Sequence, residues 1–128
     1  MPKVLYLEKD EFLRDMVELC FENHPIEVHT RDKLSEYLFL IEDLKIDLLL
    51  LDVRLYRMEW ENLRELSQGA SSLVLPSIEL WAVGTEKELG WLDDRGIKVT
   101  HRLVKPLSPT FLMQKLTQHF GGTSHLTN

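Results

Sequence analysis

The chain opens with Lys3-Val4-Leu5-Tyr6-Leu7, a run of bulky apolar residues that predicts a short strand and stops at the charged stretch Glu8-Lys9-Asp10-Glu11. From there the period changes. Phe12, Leu13, Met16, Val17 and Cys20 form one stripe of an amphipathic helix, with Asp10 as its N-cap. Asn23-His24-Pro25 ends that helix, because the residue before a proline is pushed out of the α region, and Ile26 to His29 alternates as a half-exposed second strand. Leu34, Tyr37, Leu38 and Ile41 predict a second helix over Asp32 to Leu44. Asp47 to Val53 is apolar on both faces, as the central strand of a parallel sheet covered on both sides must be.

Glu61 to Gln68 reads as a third helix ending near Gly69, and Leu75 to Val83 as a fourth strand entered past Pro76. Thr85 to Leu92 predicts a short helix, Lys98 to Val104 a fifth strand, and Ser108 to Phe120 a last helix after Pro106 and Pro109. Strands alternating with helices in this way define a doubly wound α/β domain over residues 1–120, with a disordered tail over 121–128. In such a sheet ligands meet the carboxyl ends of the strands. Those ends carry Glu8-Lys9-Asp10, Asp52 to Arg54, Trp81-Ala82 and Lys105-Pro106.

Length and composition narrow the classes. At 128 residues, 44% hydrophobic and 28% charged, the chain is expected to be one globular domain. A net charge of −6 and no dense basic stripe argue against direct nucleic-acid binding. Cys20 is the lone cysteine and is expected to be a buried small hydrophobe, and the chain opens on no signal-peptide pattern, so a cytoplasmic location is expected. The longest apolar run, Leu48 to Leu51, is far short of the roughly 20 residues that span a bilayer, so no membrane insertion is expected.

Asp47-Leu-Leu-Leu-Leu-Asp52-Val-Arg-Leu, Met58 six residues past the aspartate, and Leu103-Val-Lys105-Pro106 carry a resemblance. From Lys3 to about Phe120 the chain resembles the receiver domain of two-component response regulators, of the chemotaxis-regulator kind. The resemblance implies a flavodoxin-like (βα)5 fold with a five-stranded parallel sheet in the order 2-1-3-4-5. It makes Asp52 the phosphoacceptor and Lys105 the partner of the phosphoryl group. Mg2+ would then be held by Asp52, the Arg54 backbone carbonyl and Glu8 or Asp10 through water. Such chemistry suits these residue types, because a carboxylate attacking phosphorus needs its repulsion neutralised by a divalent ion and an ammonium group.

Departures from the family pattern bear on every one of those roles. The second acidic position after strand one, a direct Mg2+ ligand in the family, is Lys9, which cannot ligate while protonated. At about 5 Å from the ion its charge would cost up to roughly 7 kcal/mol at an effective dielectric of 20. The end of strand four, where the family places a Thr or Ser hydroxyl, is read as Trp81, and the switching aromatic three residues before Lys105 is Arg102. Tyr56 to Trp60 replaces a flexible Pro-Gly loop and predicts a stiffer, more occluded rim. Lys9 is read in two ways, as a solvated strand-end charge or as an internal counter-ion standing in for the metal.

Trp81 and Trp60 are expected close to Asp52, with Trp81 packed over the site, and Trp91 is read either as core or as an anchor facing a partner. His24, His29, His101, His119 and His125 show no metal-ligand spacing, and no zinc is expected. The favoured reading is a degenerate receiver that works as a protein-interaction module, weakly dependent or not dependent on phosphate. The alternative is a fully competent Mg2+-dependent aspartyl-phosphate receiver. A flavodoxin-like enzyme or nucleotide binder would want a glycine-rich loop after strand one, and Glu8-Lys9-Asp10-Glu11 has none. Partners implied by the resemblance are a histidine kinase, a phosphotransfer protein or a downstream effector, met on the fourth helix, fifth strand and fifth helix by a monomer or weak dimer. No catalysis is expected beyond self-phosphorylation of Asp52.

Overall fold

In the computed structural model, which describes residues 1–34, 37–59 and 78–126, the chain builds a five-stranded parallel sheet in the order β2-β1-β3-β4-β5. The elements are β1 (Lys3–Leu7), α1 (Glu11–Cys20), β2 (Glu27–Arg31), α2 (Tyr37–Leu44), β3 (Leu48–Asp52), a helical segment α3 at residues 53–59, β4 (Glu79–Gly84), α4 (Glu86–Asp94), β5 (His101–Val104) and α5 (Pro109–Leu126). The expected fold class and strand order hold. The expected helix at Glu61 to Gln68, and with it Trp60 and Pro76, lies outside the described residues.

Burial follows the period of two. Leu5, Leu7, Leu49, Leu51, Leu80 and Ala82 face one side, packed with Ile41, Tyr56, Leu89 and Leu92 from α2, α3 and α4. Val4, Tyr6, Leu48, Leu50, Trp81, Val83 and Leu103 face the other, under Val17 of α1 and Leu112 and Leu116 of α5, with Cys20 only partly buried against them. Every residue of β3 is buried, which is why its leucines run without alternation.

Local chemistry sets the helix starts. Asp10 accepts from the Leu13 N–H at 3.2 Å, and Thr85 and Glu88 form a reciprocal capping box that opens α4. Asn23 takes a φ of 62° where the chain leaves α1, a conformation that asparagine tolerates. Three expectations shift. The segment after Asp52, expected as a loop, is helical over residues 53–59, because Asp52 itself acts as a cap and no Pro or Gly interrupts the run. Residues 32–34 stay outside α2, although Leu34 is still buried in the core. And α5 runs through Gly121 and Gly122 to Leu126, so residues 121–126 are helical, not a tail; glycine costs about 1 kcal/mol in a helix and does not by itself end one.

Candidate functional site

Asp52 ends β3 and is fully buried, beside Glu8, which follows β1 and is 1% exposed. A carboxylate so enclosed must find donors or a counter-charge. Asp52 Oδ2 accepts from the Leu55 N–H at 3.2 Å, and Lys105 Nζ lies 2.7 Å from Oδ1. The Lys105 ammonium is the sole partner of Oδ1. The same ammonium is 3.8 Å from Glu8 Oε1. Lys105 is delivered by the end of β5, where its N–H bonds the Gly84 carbonyl at 2.9 Å and its peptide bond to Pro106 is cis. The fit at Gly84 is tight: a Cβ would come within 3.1 Å of Glu88 Oε1 and 3.3 Å of Val53 Cβ.

Glu8 is more fully committed than its place in the sequence suggests. Its Oε1 accepts from the Tyr6 hydroxyl at 2.7 Å and its Oε2 from the Asp10 N–H at 3.1 Å, while Arg14 clamps the Glu8 and Lys9 carbonyls. Tyr6 is a site residue that the sequence reading misses. Its signal is the strand period, since residues 6 and 8 share a face. Burial, reinforced by the Glu8 charge, holds the Tyr6 hydroxyl protonated far above its ordinary range, so it remains a donor.

Burial also pushes the Asp52 carboxyl up, and Glu8 adds to this; Lys105 and the Leu55 N–H offset it only in part. Burial pulls Lys105 down but is outweighed by Asp52, Glu8 and Glu88, so its net shift is upward. One ammonium therefore serves two buried carboxylates.

The donors expected to hold Mg2+ do not converge. Asp10 is exposed and turned to cap α1, and Arg54 is the second residue of α3, where carbonyls point along the helix away from its start. Among the described residues, Glu8, Asp10 and Asp52 form no set of direct side-chain ligands. With Asp10 capping α1 and both Glu8 oxygens already accepting hydrogen bonds, the residues present do not fit a preformed magnesium site. Lys9 is exposed and makes no ion pair among the described residues, which favours the solvated strand-end charge over the internal counter-ion; Lys105 has that role.

Three aromatic and switch positions are corrected or located. Trp81 sits opposite Leu50 and His101, two residues short of the level of Asp52; the position beside Asp52 is Val83. Its indole is in the core and donates to Glu79 Oε2 at 2.9 Å, so it does not pack over the site. Trp91 is not a surface anchor: it is buried in the core, edge-on to Tyr56 at 6.0 Å, with the Arg95 guanidinium 4.3 Å from its ring centre. Arg102 is where expected but pinned, donating from both terminal nitrogens to the Asp93 carboxylate at the end of α4. That contact holds the Asp93 carboxyl below its usual range.

Beside Lys105 opens a groove of about 580 Å³, lined by Phe12, Leu13, Met16, Pro106 and Leu107 among others. Phe12 is 73% exposed there, although its place on the apolar stripe of α1 marks it as core. At the opposite end of the sheet the register gathers His101, His119 and Glu79, which linear spacing leaves isolated.

Among solved structures the fold is that of response-regulator receiver domains. The chemotaxis response regulator CheY4 of Vibrio cholerae superimposes with a TM-score of 0.65 at 23% identity, over 92% of this chain and 98% of that one. The regulatory domain of the repressor of iron transport regulator, RitR, in its inactive form, gives 0.71 at 19% identity over 95% and 97%. A response regulator from Thermotoga maritima gives 0.64 at 16% identity over 92% and 96%. No family model and no curated protein matches the sequence. At these identities the likeness is one of fold, and the site's chemistry has to be argued from this chain. No helix among the described residues is long and apolar enough to cross a membrane.

Proposed function

We propose that the chain is a receiver-fold signalling module, regulatory and not catalytic, that docks partner proteins in a state fixed by its own charges and without phosphorylation. The observation that carries this is the Lys105 ammonium, 2.7 Å from Asp52 and 3.8 Å from Glu8, already occupying the role that an ion and a phosphoryl group would share. With Asp10 and the Arg54 carbonyl directed elsewhere, the Lys105 ammonium alone is left to offset two buried carboxylates and an incoming phosphoryl group. A valine level with Asp52 offers no hydroxyl to sense one. The groove beside Lys105, with Phe12 at its rim, supports docking of a protein partner, since exposed apolar patches mark such surfaces.

The competent-receiver reading draws on a specific observation, the buried Asp52 Oδ1 with no partner but the Lys105 ammonium, which is the atom a phosphoryl group would take. The two readings separate in one experiment. The chain is incubated with Mg2+ and acetyl phosphate, then with beryllofluoride, while intact mass and backbone amide NMR shifts are followed. Under the proposal the mass stays constant and the amides around Asp52 do not move. A phosphoryl adduct abolished by Asp52→Asn, with shifts reaching β5, would overturn it.

A further inference from the structure

We infer that Glu79, His101 and His119 form a binding site for a transition-metal ion of the zinc class, with three protein ligands and one open position. It lies on the α1/α5 face at the amino ends of β4 and β5. Glu79 is four residues before Val83, hence about 13 Å along the strand from the level of Asp52. The inference stands independently of the reading given to Asp52.

Three elements build the site. Glu79 and Trp81 are two apart on β4 and share a face, and His101 is paired in register with Trp81 on β5, so all three point toward α5. There α5 supplies His119, whose Nε2 is 2.8 Å from Glu79 Oε1. One ligand atom from each of the three residues lies within 4.8 Å of the others. Tetrahedral zinc with bonds near 2.0–2.1 Å sets its ligand atoms about 3.3 Å apart, so side-chain rotations of roughly 1.5 Å close the set without backbone movement.

The surroundings suit a cation. Trp81 Nε1 donates to Glu79 Oε2, which orients the carboxylate and leaves Oε1 toward the histidines, as partners behind metal ligands do. The Trp81 ring is edge-on to both imidazoles, at 4.7 and 5.3 Å, and fixes their planes. Two cations border the adjoining cavity of about 250 Å³, and both are directed elsewhere. Arg102 is bound to Asp93, and Lys115 Nζ lies 5.3 Å over the Phe111 ring. The cavity is open to solvent, so water takes the fourth position. Two imidazoles and a carboxylate select zinc, cobalt or nickel over magnesium or calcium, which want oxygen donors.

The test uses the full chain without an affinity tag, titrated with Zn2+ by calorimetry and with Co2+ by visible absorption. One ion per chain is expected, with the intense Co2+ bands of a four-coordinate site, reversed by EDTA. His101→Gln, His119→Gln and Glu79→Gln, on three different elements, should each lower affinity at least tenfold with unchanged far-UV circular dichroism. His29→Gln, on β2 at the far edge of the sheet, should leave it intact. Absence of binding by the folded chain, or binding indifferent to both His101→Gln and His119→Gln, would overturn the inference and leave Glu79–His119 as an ordinary ion pair.

Discussion

Replacing Lys105 with methionine keeps the length of the side chain and removes its ammonium, leaving two buried carboxylates, Asp52 and Glu8, without a counter-charge. At an effective dielectric of 20 the lost attractions are about 6 kcal/mol at the Asp52 contact and about 4 at Glu8, gross values that desolvation of the ammonium largely offsets. Removing one partner of a buried pair costs about 3–5 kcal/mol net. A second route sets a ceiling, because one carboxyl can instead take up a proton. From an ordinary pKa near 3.9 that costs about 1.36 × (7.5 − 3.9), or about 5 kcal/mol at pH 7.5, and only about 2 at pH 5.5.

The expected result is therefore a loss of about 3–5 kcal/mol at pH 7.5 that shrinks by up to about 1.4 kcal/mol per pH unit toward pH 5.5. In the wild type Lys105 contributes evenly across this window. Its folded pKa is raised above 10.5, so its stabilisation is fully present below that value and is lost only as pH rises through the folded one. Urea titrations at both pH values measure the difference. In thermal melts it corresponds to about 4 °C per kcal/mol for 128 residues. A loss under about 1 kcal/mol at pH 7.5, or equal losses at the two pH values, would refute the claim that one ammonium holds both carboxylates.

Asp52→Asn is expected to do the opposite. A carboxyl whose folded pKa is raised above 3.8 loses stability as pH climbs through that window, so removing its charge should stabilise the fold at pH 7.5 and not at pH 3. Asparagine retains an oxygen for the Leu55 N–H, and Lys105 keeps Glu8; a lower urea midpoint at pH 7.5 would contradict this. Tyr6→Phe removes the donor at 2.7 Å from Glu8 and should cost about 2 kcal/mol in a urea titration, with no change in far-UV circular dichroism. Arg102→Ala, by contrast, breaks an ion pair on the surface and should leave the melting temperature unchanged at both low and high salt.

Much of the fold is legible in the sequence because its signals are local and repeated. The four leucines before Asp52 can only be satisfied between two covered faces, and Asp10 caps a helix that begins where that cap predicts. The features that escape are set by competition between neighbours. Asp52 reads as a strand end before a loop, yet its side chain can cap the next turn, and Val53, Leu55 and Tyr56 bury themselves only if residues 53–59 turn helical. Starting strand four at Leu75 and counting from Pro76 sets Trp81 at the strand's end; the register with β3 moves that end to Val83 and Gly84.

The candidate site divides along the same line. Asp52 and Lys105 are readable because each sits at the end of a strand, where topology alone brings them together. Lys9 misleads for a geometric reason. Alternation along the chain leaving β1 sends Tyr6 and Glu8 inward and their neighbour out, so the cation next to the acidic residue in sequence is the one that cannot reach the buried carboxylates. Its charge is replaced by Lys105, from the far end of the chain, which no local pattern links to Glu8. One ammonium thus offsets part of the charge of both buried carboxylates. Tyr6 adds a constraint of its own, since its hydroxyl ties down Glu8 and leaves it less free to turn toward an ion.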